Sequence, residues 1–222
     1  MTMHRRGPFG PGGPPPFGCG PFARRGYHHG RLKEALVDAA RALLGERGAQ
    51  GFSLADAAKL AGVSPAAPYR HFRDRDALLA EVARQGFAQF GQRLSAARES
   101  GGDPRDGFLA MGRAYLAFAR EEPGLYEAMF SWCAAPERDG EGMAEGTRAF
   151  DILLDGIAAA LASSGRASGD ARRLALEVWA LAHGVATLAA ARQLGAGIDP
   201  EVVLGEGVRA LLAGHRALAG RD

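Results

Sequence analysis

The sequence predicts an all-α fold, with an amino-terminal three-helix helix-turn-helix domain followed by a larger helical domain. Three observations carry that expectation. From residue 30 onward, apolar residues recur at three- and four-residue spacing, and no useful stretch alternates with period two. Residues Phe52 to Phe72, FSLADAAKLAGVSPAAPYRHF, hold two short helix signals joined by a Gly62-Val63 turn. The charge is also divided: residues 24–94 carry 12 Lys/Arg and 7 Asp/Glu, whereas residues 95–222 carry 13 and 18, although the whole chain nets only +2. Two helices across a tight glycine turn are a device for placing a helix in the DNA major groove. A basic amino-terminal part approaches a polyanion while an acidic remainder stays away from it, unless the imbalance is chance.

The elements follow in order. Residues 1–26 are half Gly or Pro, 13 of 26, and include Pro14-Pro15-Pro16. Such a segment holds neither helix nor strand ladder and reads as a flexible basic arm. Its Arg5, Arg6, Arg24 and Arg25 either reach DNA or belong to an extension without a role. Leu32, Leu36, Ala39 and Leu43 then share one helical face, ended by Gly45 and Gly48. Ser53 caps the next helix, and Asp56 three residues later completes part of a capping box worth about 1 kcal/mol. Phe52 staples onto Ala57, and Leu54, Ala57, Leu60 and Ala61 form the buried stripe. Gly62 suits the left-handed residue after a helix end. Ser64 caps a nine-residue helix with Pro65 at its first position, and Pro68 falls in its first turn, where one hydrogen bond at most is lost. Asp74 caps a long helix through Leu78, Leu79, Val82, Phe87 and Phe90 to about Arg98.

Beyond it, helices are expected over 104–121, from the Pro123-Gly124 break through Phe130, over 143–163, from Asp170 to about Leu194, and from Asp199-Pro200 to about Leu218. A polar loop, Cys133 to Gly142, separates the second and third of these. Domain boundaries follow: 1–26 arm, 27–75 helix-turn-helix, 76–222 ligand-binding and dimerisation domain.

Composition narrows the function classes. Apolar residues make up 47% and charged residues 23%, a globular balance. No run approaches the ~18 apolar residues of a membrane span. The start of the chain does not resemble a secretory signal, and Cys19 and Cys133 are too far apart and too few for a disulfide framework. A cytoplasmic protein without metal or other cofactor is expected. No His/Cys/Asp cluster has metal spacing, and neither a Ser-His-Asp arrangement nor a Walker motif is recognisable, which argues against an enzyme.

The first helix followed by FSLADAAKLAGVSPAAPYRHFRDRDALL resembles the amino-terminal domain of the TetR family of bacterial one-component repressors. Tyr69, His71 and Phe72 match that family's Tyr-x-x-Phe element, and Arg75 stands in the place of its usual lysine. Ala57 and Pro68 depart from it, replacing a larger aliphatic residue and a leucine. Trp179, His183 and Gly184 resemble the Trp-x-x-x-His-Gly element of one subset of TetR-like carboxy-terminal domains.

The resemblance implies a ligand-responsive, dimeric repressor of transcription that binds a double-stranded DNA operator. Within that frame, Arg31, Ser53, Tyr69, His71 and Arg75 are the expected phosphate ligands. Ser64, Pro65, Ala66, Ala67 and Arg70 open or edge the recognition helix; its face suits thymine methyls, and Arg70 is its one long donor for guanine. Phe87, Met111, Tyr115, Phe118, Tyr126, Phe130, Phe150, Trp179 and His183 line either an effector cavity or a packed core. An apolar or aromatic small molecule is the expected effector, with His183 or Tyr115 as its polar handle. Ala180, Gly184, Ala186, Val203, Val208, Leu211 and Leu212 supply a homodimer seam or ordinary core. Two alternatives stay open: an architectural DNA-binding protein without effector, and a helical enzyme or binding module that merely starts like a helix-turn-helix.

Overall fold

The computed structural model describes residues 31–133, 141–163 and 171–219. The amino-terminal arm, most of the expected polar loop and the punctuation between residues 164 and 170 lie outside the described residues. Among the described residues the fold is helical throughout, without strands.

Helix α1, Leu32–Arg47, buries Leu36, Val37, Ala39, Ala40, Leu43 and Leu44 and stops where Gly48 turns to φ +70. Helix α2, Leu54–Leu60, begins at the expected capping box: Ser53 N–H donates to Asp56 Oδ2 at 2.9 Å and Asp56 N–H to Ser53 Oγ at 3.2 Å. It ends with Gly62 at φ +72, where Val63 N–H donates to the Ala58 carbonyl (2.9 Å) and Gly62 N–H to that of Lys59 (3.2 Å). These two bonds satisfy carbonyls left over at the helix end.

The segment after the turn departs from expectation. Ser64–His71 is not an α-helix but a turn leading into a 3-10 helix over Pro68–Arg70. Its bonds run three residues back, from Ala67 to Ser64, Arg70 to Ala67 and His71 to Pro68, at 2.9–3.2 Å. The cause is Pro68, which has no N–H and whose ring crowds the carbonyl four residues before it. The proline ring is itself fully buried and, with Phe72 at 4% exposure, closes the small core. Ala57 is also fully buried and belongs to the same core as Phe72.

Helix α3, Arg75–Glu99, is capped by Asp74 Oδ1, which accepts from Ala77 N–H at 2.8 Å. It forms the axis of the molecule, packing on α1 and on α4, Pro104–Glu121, α5, Pro123–Cys133, and α6, Glu141–Ala162. The boundary expected at 75/76 therefore coincides with the first turn of α3, which both parts share. Helices α7, Ala171–Ala190, and α8, Pro200–Ala219, pair with each other against α4. Helix α7 ends before the expected Leu194, because Arg192 (φ 55) and Gly195 (φ 88) turn left-handed. No helix among the described residues is long and apolar enough to cross a membrane.

Where α5 meets α1, two glycines face each other. A Cβ on Gly124 would run into the Arg41 carbonyl oxygen, and one on Gly45 would lie 3.4 Å from the Gly124 nitrogen. Backbone thus rests on backbone at this junction, which only glycine permits.

Candidate nucleic-acid interface and helical cavity

The turn and 3-10 helix after α2 project from the three-helix core. Ser64, Pro65 and Ala66 are exposed and Ala67 half-buried, with Tyr69 at 63% exposure and Arg70 and His71 beside it. Arg31 is exposed at the start of α1. An exposed aromatic next to a cation and an imidazole, on a rigid turn, offers donors to phosphate oxygens and small apolar groups to base edges.

Two expected phosphate ligands are otherwise engaged. The Ser53 hydroxyl donates to Asp56 Oδ2 at 2.6 Å inside the capping box, and these bonds hold the Asp56 carboxyl below its usual range. What α2 can still present to an anion is its amide end. The Arg75 guanidinium donates to the Ala49 carbonyl and to Asp76 Oδ1 (2.9 Å) and stacks 5.2 Å from the Phe52 ring centroid. Arg75 therefore clasps the loop before α2 to the start of α3. Two of its five N–H donors are thus engaged within the protein, and the side chain keeps 28% exposure.

Inside the larger domain, α3 to α8 line a cavity of about 190 Å³. Of the expected residues, Phe87, Met111, Tyr115, Phe130, Phe150 and Trp179 line it. Three do not. Phe118 is fully buried between Phe90 (5.2 Å between centroids) and the Arg93 guanidinium (5.3 Å). Tyr126 and His183 stand behind the wall, their rings 5.8 Å apart. Unanticipated lining comes from Phe90, Leu94, Phe108 and Leu204, and from Arg113, Glu201 and Arg209, which are exposed.

The polar groups behind that wall satisfy one another. Tyr126 Oη lies 2.8 Å from His183 Nδ1, and Tyr115 Oη lies 3.4 Å from Tyr126 Oη and 3.5 Å from the same nitrogen. Burial pushes the Tyr115 and Tyr126 phenols up and the His183 imidazole down. All three are neutral at pH 7, and Tyr126 Oη and His183 Nδ1 share one hydrogen bond whose donor is set by the imidazole tautomer. Neither His183 nor Tyr115 is thus the free polar handle expected from sequence.

The expected dimer seam divides in two. Ala186 and Val208 are buried inside the subunit, and Val208 lines the cavity, so neither is available to a partner. Ala180 is exposed and Gly184 has open space at its Cβ position, while Val203, Leu211 and Leu212 are half-buried against the core. Among the described residues, the large apolar side chains left outward on α7 and α8 are Leu176 (46% exposed), Trp179 (36%), Leu188 (41%) and Val202 (52%).

One polar chain links cavity to helix-turn-helix. Glu122, between α4 and α5, pairs through Oε2 with Arg41 of α1 and through Oε1 with Arg93 of α3 at 3.3 Å. Arg93 also meets Glu121 at 2.8 Å and covers Phe118, which packs on the cavity residue Phe90. Glu127 of α5 accepts from Ala49 N–H at 3.1 Å.

With this geometry in place, comparison with known proteins is decisive. Residues 36–82 match the family described as bacterial regulatory proteins, tetR family, and residues 108–211 match the tetracyclin repressor-like carboxy-terminal domain. The chain belongs to the TetR family. It is 35% identical to a protein of unknown function from Rhodococcus sp. RHA1, covering 86% of this chain and 98% of that one with a TM-score of 0.74. It is 36% identical over 100 residues to YobS, an uncharacterised HTH-type transcriptional regulator of Bacillus subtilis strain 168, covering 45% of this chain and 51% of that protein. It is 27% identical over 109 residues to the HTH-type transcriptional regulator BetI of Rhizobium meliloti strain 1021, covering 49% and 54%. The chain thus spans about half the length of the curated relatives it matches.

Proposed function

We propose that this TetR-family protein is a dimeric repressor that binds operator DNA through Ser64–His71 and leaves it when a small molecule with an apolar or aromatic body enters the cavity. The observation that carries the reading is the outward display of Tyr69, Arg70 and His71 on a stiff turn whose other face is buried. Tyr69, His71 and Arg31 hold phosphates and set register; Pro65, Ala66 and Ala67 meet thymine methyls; Arg70 reads guanine. Direct readout is modest with so few donors, and DNA shape adds to it. A second copy pairs through α7 and α8, over Leu176, Ala180, Gly184, Leu188 and Val202, and brings two reading turns to half-sites about one helical turn apart.

Release follows from differential binding. An effector that fits one arrangement of α4 and α5 better than the other biases the equilibrium between them. Glu122 passes that bias to α1 through Arg41. The test is selection of bound fragments from random duplex DNA, followed by fluorescence anisotropy of the winner against wild type and Tyr69→Ala. A pseudo-palindromic site, bound with steep salt dependence and weakened about tenfold or more by the substitution, is expected. No duplex preference at low salt, with helicity intact, would refute the reading.

A further inference from the structure

The chemical class of the effector follows from how charge is placed around the cavity. The interior is almost wholly hydrocarbon and aromatic, from Phe87, Phe90, Phe108, Met111 and Phe150, and cannot hold an ion. Its Tyr115 hydroxyl faces the neutral Tyr126 and His183 at 3.4 and 3.5 Å and carries no charge. Charge therefore has a place only at the mouth, where Arg113 of α4 and Arg209 of α8 are exposed together with Glu201. Neither arginine forms an ion pair among the described residues, and neither pairs with Glu201. Elsewhere in the domain Arg93, Arg98, Arg148 and Arg173 each meet a carboxylate and Arg172 lies 5.5 Å from the Phe150 ring centroid; what sets Arg113 and Arg209 apart is that they line the cavity. The mouth carries two guanidiniums against one carboxylate.

Size sets the other limit. A dry cavity of about 150 Å³ takes a benzene molecule, so 190 Å³ admits one aromatic ring with a short tail. We propose that the effector is a single-ring aromatic carboxylate, its ring among the cavity phenylalanines and its carboxylate held at the mouth by Arg113 and Arg209. Guanidinium forks suit a carboxylate in shape as well as charge. This rests on reading the cavity as the effector site, and goes beyond it in assigning charge, size and the residues that select them.

The test uses the full-length protein and three matched probes by titration calorimetry: 3-phenylpropanoate, 3-phenylpropan-1-ol and 3-phenylpropylamine. The carboxylate should bind about tenfold more tightly than the alcohol, and the amine least. In Arg113→Gln/Arg209→Gln the carboxylate should fall to the affinity of the alcohol, whose own binding stays unchanged, because both arginines are exposed and touch only the charged end. The preference should also shrink in 1 M salt. Equal binding of carboxylate and alcohol, tighter binding of the amine, or a preference that survives the double substitution would overturn the anionic assignment while leaving an apolar effector site standing. If no probe binds, or if Leu153→Trp, a cavity-filling change checked by circular dichroism, leaves alcohol binding untouched, the cavity reading itself falls, and this proposal with it.

Discussion

Replacing Glu122 with glutamine isolates the polar link between the two parts of the molecule. The Glu122 side chain is 14% exposed, while its partners Arg41 and Arg93 are 38% and 37% exposed. Hydrogen bonds to a charged group contribute about 1.5–3 kcal/mol when shielded, whereas fully exposed ion pairs contribute about 0.2–1 kcal/mol. A half-sheltered pair belongs between those limits, at about 1 kcal/mol each. Glutamine keeps the shape and removes the charge from both pairs, so Glu122→Gln should cost about 1–2 kcal/mol. For a domain of this size that lowers Tm by roughly 2–8 °C. Thermal melts followed by circular dichroism on wild type, Glu122→Gln, Arg41→Gln and the double variant close a thermodynamic cycle. A coupling of about 1 kcal/mol, reduced in 1 M salt, is expected for residues in contact. If the two single effects add within about 0.3 kcal/mol, Arg41 and Glu122 are merely neighbours, and the route assigned from α4 to α1 is wrong.

Other outcomes are expected from the same structure. Ser53→Ala removes the α2 cap and should lower stability by about 1 kcal/mol, read as a shift in denaturation midpoint; Ser53→Asp should largely restore it. Glu81, hydrogen-bonded by Arg84 and Gln85 and near Lys33, has its carboxyl pulled down from 4.5 to about 2. Its folded pKa is the lower one, so its stabilisation is fully present above pH 4.5 and vanishes as pH falls toward 2. Glu81→Gln should therefore destabilise at pH 7 and converge with wild type near pH 2; a constant gap across that window would contradict the assignment. Leu188→Glu with Val202→Glu should shift the mass measured by light scattering from dimer to monomer, whereas Ala186→Glu, buried in the subunit, should unfold the chain instead.

Local signals made much of this fold legible. Ser53, Asp56, Gly62, Asp74 and the Pro123-Gly124 break act within a few residues of themselves, and the helices start and stop where those residues stand. Pro68 shows the limit: its missing N–H was recognised, but a one-bond loss was expected to leave an α-helix, and the chain takes a tighter 3-10 path instead. The cavity was half legible, because helical spacing tells which side chains turn inward but not which meet empty space. Phe118 and Phe90 lie on neighbouring helices, one filling a core and the other facing the void, and only packing of α3 on α4 distinguishes them. Arg113 and Arg209 were invisible, since nothing local separates an arginine on open surface from one beside a cavity 96 residues along the chain from its counterpart. The bond from Arg75 to the Ala49 carbonyl was likewise invisible, because only the fold brings residues 26 apart in sequence together.

The glycine junction between α1 and α5 has a mechanical consequence. Two rods touching through bare peptide cannot interdigitate and slide like gears, and here the Arg41–Glu122 ion pair and the Ala49 N–H to Glu127 hydrogen bond pin them. Whatever tilts α5 must swing α1 as one stiff lever, so a small displacement deep among the aromatic rings would emerge enlarged at the far tip. A methyl group added at residue 124 would act as a wedge in the fulcrum, leaving both ends intact and the connection between them broken.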